Sequence, residues 1–217
     1  MSQGARKPST RWAFRGMSQP PRLSRLIGLL KWFIHRRLAA FEKQFGYDAS
    51  YMHHVLDTDF RAFMTFARAA GVSRHRRDVP IDLYAAVSIT GVIAADCGPC
   101  AQLAVTMALR EGVPAATISR ILRGDETDMT EPTRLGVRFA RAVLARDGAT
   151  GDELRAEIVR RHGERAVISL GLALVASQLY PTFKYALGYG HACSRIEVDG
   201  RTITPKLATQ IPSPTAA

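Results

Sequence analysis

Apolar residues begin to recur at helical steps from Leu23. Leu23, Leu26, Ile27, Leu30, Ile34, Leu38, Phe41 and Phe45 advance in threes and fours, with Arg22, Arg25, Lys31 and Arg36 mostly on other faces. The spacing predicts an amphipathic helix whose stripe docks on the core or on a partner subunit. A basic amphipathic helix also suits a membrane surface, which is the alternative reading. Gly46-Tyr47 ends the segment, Asp48 or Ser50 restarts a helix through Leu56, and Phe60, Phe63, Met64 and Ala67 share a face of the next. Gly71 closes that helix, and Ser73 to Asp78, rich in Arg and His, reads as an exposed connection.

The second half repeats the helical pattern. Pro80-Ile81-Asp82 opens an apolar segment, Leu83 to Ala95, and strong helix formers fill Ala101 to Arg110. Gly112 and Pro114 punctuate, and Ala115 to Leu122 makes a short helix. Arg134 to Ala145 follows with Leu135, Phe139, Ala142 and Val143 as its expected buried stripe. Thr150 to His162 is Glu-rich early and Arg-rich late, as the helix dipole prefers. Ala166 to Phe183 runs for 18 residues without a charge, the lower limit for a membrane span. Its Ser169, Gly171, Ser177, Gln178 and Pro181, with charges tight at both ends, point instead to a buried central helix. Arg195 to Ile203 alternates around Asp199-Gly200, a hairpin signature. The fold class expected is all-α with a short C-terminal β-hairpin. It divides into a disordered basic arm (1–21), a helical domain (22–193), and a hairpin and tail (194–217).

Charge changes this picture at one end only. The net charge of +11 is concentrated in residues 1–41, which hold nine Lys and Arg and no acidic residue, and the other 176 residues carry +2. No recognition motif or interleaved aromatic platform accompanies the arm, so no specific nucleic-acid partner is expected. Its apolar run is broken at Lys31, unlike a secretory signal, although the Arg-rich, acid-free character is shared with organellar presequences. Three cysteines, two of them close, argue against a secreted disulfide scaffold and for a reducing, cytoplasmic setting.

Candidate chemistry is confined to Asp96-Cys97-Gly98-Pro99-Cys100. Two cysteines three apart can pair when they open a helix, and the helix N-terminus lowers a thiol pKa by favouring the thiolate. Asp96 is expected as N-cap, with Pro99 tolerated in the first turn. Cys97 and Cys100 are therefore the candidate catalytic residues, as a redox dithiol that needs no cofactor and no metal. His53 or His54 could approach Cys100 as a base, and Tyr84 could donate to a substrate oxygen. Three alternatives stand beside this reading. Cys-Gly-Pro-Cys is also the thioredoxin tetrapeptide, which requires a strand leading into it. Cys97, Cys100, His191 and Cys193 have ligand types that suit zinc. The chain could also be a non-catalytic helical interaction protein.

A helical chain with a CxxC opening a helix resembles the carboxymuconolactone decarboxylase and alkylhydroperoxidase D-like superfamily. The resemblance spans about Phe41 to Gly190 and is best at Asp96 to Cys100 and at Pro181-Thr182-Phe183-Lys184-Tyr185-Ala186-Leu187-Gly188. It implies a helical bundle assembled as a homo-oligomer, acting on a small peroxide or disulfide with a thiol reductant. It also implies Cys100 as the attacking sulfur and Cys97 as the resolver, Cys97 being the more accessible at the helix lip. Peroxidase members carry a Glu twelve residues before the first Cys and a His four after the second; this chain has Ala85 and Ala104. The proton relay is thus missing from those positions, while dithiol exchange needs only a poised thiolate.

Overall fold

A computed structural model describes residues 21–191 and 195–206. Most of the basic arm, Cys193 and the tail beyond Lys206 lie outside them. The described residues form nine α-helices, one 3-10 turn and one two-stranded sheet, so the fold is all-α with a small hairpin. The helices are α1 (Pro21–Phe45), α2 (Ser50–Thr58), α3 (Phe60–Ala69), α4 (Ile81–Ala94), α5 (Gly98–Arg110), α6 (Ala115–Arg123), α7 (Glu131–Ala145), α8 (Gly148–His162) and α9 (Glu164–Ala186).

The central element is α4. Asp82 is its one charged residue, and the helix is apolar all round, the pattern of a helix surrounded by others. It packs against α5, α6, α7 and α9. Close approach on two sides depends on glycine. A Cβ at Gly136 of α7 would stand 2.8 Å from the Leu83 carbonyl oxygen and 2.9 Å from the Ala86 Cβ. On the other side, a Cβ at Gly91 would collide with Ser177 of α9. The uncharged stretch of α9 is therefore not central as expected. It is a flanking helix that buries Ala166, Leu170, Ala173, Leu174 and Ser177 while Ile168 and Val175 face outward. By length and composition alone α9 could cross a membrane, with 44% of its most apolar window buried in the fold. The stripe of α7 also differs from expectation at one position: Leu135, Phe139 and Ala142 are buried, whereas Val143 is exposed.

Three apolar clusters result. One joins α4, α7, α8 and α9 through Leu83, Phe139, Ile158 and Leu170. A second, aromatic one gathers Tyr47, Tyr51, Phe63 and Phe66, onto which Ile34, Leu38, Phe41 and Phe45 of α1 and Phe183 of α9 pack. The third holds Ile89, Val105, Ile118 and Leu122 together with Cys97 and Cys100. The hairpin, β1 (Ile196–Val198) and β2 (Arg201–Ile203), belongs to this third cluster through Ile196, Val198 and Ile203. It turns where expected, with Asp199 and Gly200 both at positive φ (49° and 71°), as a two-residue hairpin loop requires.

Candidate active site

The dithiol sits at the joint between α4 and α5. α4 ends in a Schellman arrangement: the Asp96 N–H donates to the Ile93 carbonyl (2.9 Å) and the Cys97 N–H to the Val92 carbonyl (3.5 Å). Asp96 occupies the left-handed position there (φ 49°), a place usually given to Gly or Asn. Its role is thus to stop α4, and the expected N-cap role falls to Cys97, which has extended backbone and no side-chain cap. Tyr185 at the end of α9 donates its hydroxyl to the Asp96 carbonyl at 2.8 Å, holding the joint from outside.

Cys97 and Cys100 are joined by a disulfide, with Cα atoms 5.3 Å apart, inside the usual range. Among the first positions of α5, the Gly98 N–H donates to the His191 carbonyl (3.0 Å) and Pro99 has no N–H. The helix dipole and the Cys100 amide are what this end of α5 offers to a negative charge. Surroundings are apolar: Ala85 is buried and Ala104 packs against the same cluster, so neither supplies a proton relay. Both cysteines are buried, Cys97 at 0% and Cys100 at 7% exposure, so the accessible lip expected at Cys97 is not found. The His191 carbonyl accepts the Gly98 N–H at the start of α5, and with the hairpin beside α5 it forms a cover at this end.

That cover is fastened. Gln102, one turn into α5, pairs with the backbone of β1 in both directions: its amide donates to the Glu197 carbonyl (3.0 Å), and its carbonyl accepts the Glu197 N–H (2.7 Å). Lys206 donates its N–H to the Leu122 carbonyl of α6 at 2.9 Å.

The other expected site residues lie elsewhere. His53 stacks on His35 of α1 (ring centroids 4.8 Å) with Nδ1 atoms 2.5 Å apart, between Glu42 on one side and Asp57 on the other. His54 contacts the Tyr189 ring. Tyr84 donates to the Ser73 carbonyl (3.2 Å) under the Arg76 guanidinium. None is brought to the disulfide by these contacts. Of the four zinc candidates, Cys97 and Cys100 are bonded to each other and Cys193 is outside the described residues. A thioredoxin-like strand does not lead into the motif; α4 does.

Sequence reasoning missed Lys184. It is 1% exposed, its Nζ has no hydrogen-bond partner, and it stands 4.8 Å and 5.1 Å from the ring centroids of Tyr47 and Tyr51. Burial pulls its pKa below the ordinary lysine value, opposed by the nearby Asp48 carboxylate. Burial likewise pushes the Tyr47 phenol up to about 12 and raises that of Tyr51. The available signal was a lone cation inside an aromatic-flanked apolar helix.

No protein-family model matches the chain, and neither does any curated protein or solved structure.

Proposed function

We propose that the chain is a dithiol oxidoreductase, reducing a disulfide or a small peroxide through Cys97 and Cys100 at the expense of a thiol reductant. The observation that carries the reading is the Cys97–Cys100 disulfide at the start of α5. The all-α architecture and the CxxC-initiated helix support the resemblance to the alkylhydroperoxidase D-like superfamily. With that resemblance come a homo-oligomeric assembly and a cytoplasmic setting as parts of the proposal.

In the reducing half-reaction an external thiolate attacks Cys100, the less buried residue of the pair, and the Cys97 thiolate leaves. A second reductant thiol then displaces the first from Cys100, giving the reductant's disulfide and the free dithiol. In the substrate half-reaction the Cys100 thiolate attacks. A disulfide substrate gives a mixed disulfide that Cys97 resolves. A hydroperoxide breaks its O–O bond, leaving the sulfenic acid on Cys100 and releasing an alcohol that takes up a proton. Cys97 then closes the disulfide and water departs. With Ala85 and Ala104 in the relay positions no side chain there hands the alcohol its proton, so disulfide exchange is the faster of the two.

The test uses single variants of the reduced protein. Cys97→Ser should stop after one event, with a mixed disulfide or a dimedone-labelled sulfenic acid on Cys100, whereas Cys100→Ser should consume neither substrate. Mass spectrometry reads both. Failure of either substrate to modify Cys100 in Cys97→Ser would leave the non-catalytic interaction protein as the better description.

A further inference from the structure

Helix α1 has two apolar faces, and the fold uses one. At 100° per residue, Ile34, Leu38, Phe41 and Phe45 share the inner face and pack on the aromatic cluster. Leu29, Trp32 and Phe33 of the first half lie outside that stripe and are between 52% and 66% exposed, and Leu26 and Leu30, which continue the stripe toward the N-terminus, are 63% and 44% exposed. The expected docking stripe therefore begins in earnest only near Ile34. Five large apolar side chains on one stretch of helix exceed the scattered exposure of an ordinary surface.

Cations frame this face. Arg36 lies over the Trp32 ring at 5.1 Å, and Arg37 lies 6.0 Å from the Phe33 centroid. The first acidic residue of the chain is Glu42, on the inner side near His53. A partner must accept large apolar side chains and a dense positive charge together. Nucleic acid offers the charge but no apolar medium. A second copy offers apolar surface, yet it would set one cationic α1 against another or against a body that is itself slightly positive. The interface of an anionic bilayer meets both demands, with Leu and Phe in the acyl boundary, Trp at headgroup depth and Arg against the phosphates. We propose that the outer face of α1 docks on an anionic phospholipid surface, lying in its plane and carrying the helical body on its inner face. This inference is independent of the dithiol reading.

The full-length chain with Trp12→Phe, which leaves Trp32 as its one tryptophan, tests it. Vesicles of phosphatidylcholine, alone or mixed with phosphatidylserine, are the probe. Expected are co-sedimentation with the mixed vesicles only, a blue shift of Trp32 emission, and weakening by salt. Leu29→Glu with Phe33→Glu, both at exposed positions, should lower partitioning about tenfold or more without altering the circular dichroism spectrum. Arg36→Ser with Arg37→Ser should lower it on anionic vesicles as well, each lost cation weighing about fivefold. Four results overturn the proposal. They are no partitioning into mixed vesicles, equal partitioning into neutral ones, partitioning that survives Leu29→Glu with Phe33→Glu, and concentration-dependent dimers abolished by that variant in a protein that ignores vesicles.

Discussion

Lys184 carries a cost that the fold does not visibly offset. Its ammonium is buried between two tyrosine rings with no hydrogen-bond acceptor, so it receives cation–π attraction but no full replacement of its hydration. A buried charge that has a carboxylate, Asp48, nearby but no hydrogen bond is worse than an apolar side chain of similar length. Lys184→Met should therefore stabilise the protein by about 1–2 kcal/mol at neutral pH, measured by urea denaturation. The pH dependence has a definite sign. A base whose pKa is lowered by folding binds fewer protons in the native than in the unfolded state, so wild-type stability rises with pH between the lowered value and the ordinary 10.5. The advantage of the methionine variant should then shrink as pH rises toward 10.5, the tyrosines being common to both proteins. An advantage that stays constant, or a variant less stable at every pH, would show that the tyrosine pair favours the cation over a thioether.

At the scale of elements, the close seat of α7 on α4 tests whether backbone proximity sets the architecture. A Cβ at Gly136 meets a backbone carbonyl rather than a flexible side chain, so relief requires the helices to separate. Gly136→Ala gains helix propensity of about 1 kcal/mol, but overpacking at a rigid contact costs about 1–3 kcal/mol. A lower melting temperature is the expected outcome; a higher one would mean that α7 shifts freely. This contact also shows where the sequence is readable. The helix positions and the Asp199-Gly200 hairpin follow from period and turn chemistry, which are local. That α4 rather than the longer uncharged α9 is central was not readable, because both segments are nearly charge-free and only mutual packing ranks them. Asp96 illustrates the same limit. Its residue type suits both an N-cap and a left-handed helix stop, and the spacing of α4 and α5 chooses the second. The cysteine pair was legible from its spacing; its cover was not, since Gln102 and Glu197 are 95 residues apart.

For the whole molecule, the question is how a dithiol so enclosed meets a reductant. Cys97 is fully buried and Cys100 nearly so, in one cluster with Ile196, Val198 and Ile203 of the hairpin. Opening that end separates three apolar side chains from α5 and α6, the Gln102 pair of hydrogen bonds from β1, and the Lys206 amide from Leu122. Local opening of such a unit is a normal native-state event whose population follows the interactions released. Gln102 is the place to shift it, because its side chain touches the cover and leaves both sulfurs alone. Removing two hydrogen bonds worth about 1 kcal/mol each should raise the open population by about thirtyfold, while the helical core is untouched. Gln102→Ala should therefore accelerate reduction of the Cys97–Cys100 disulfide by a water-soluble phosphine by about tenfold or more, with amide exchange rising in β1 and β2 and unchanged in α4. A phosphine needs no thiol deprotonation to attack, so the rate follows access to the disulfide rather than the ionisation of the reagent. Faster exchange in the hairpin with an unchanged reduction rate would place the route to Cys100 elsewhere, along the joint guarded by Tyr185 and Asp96.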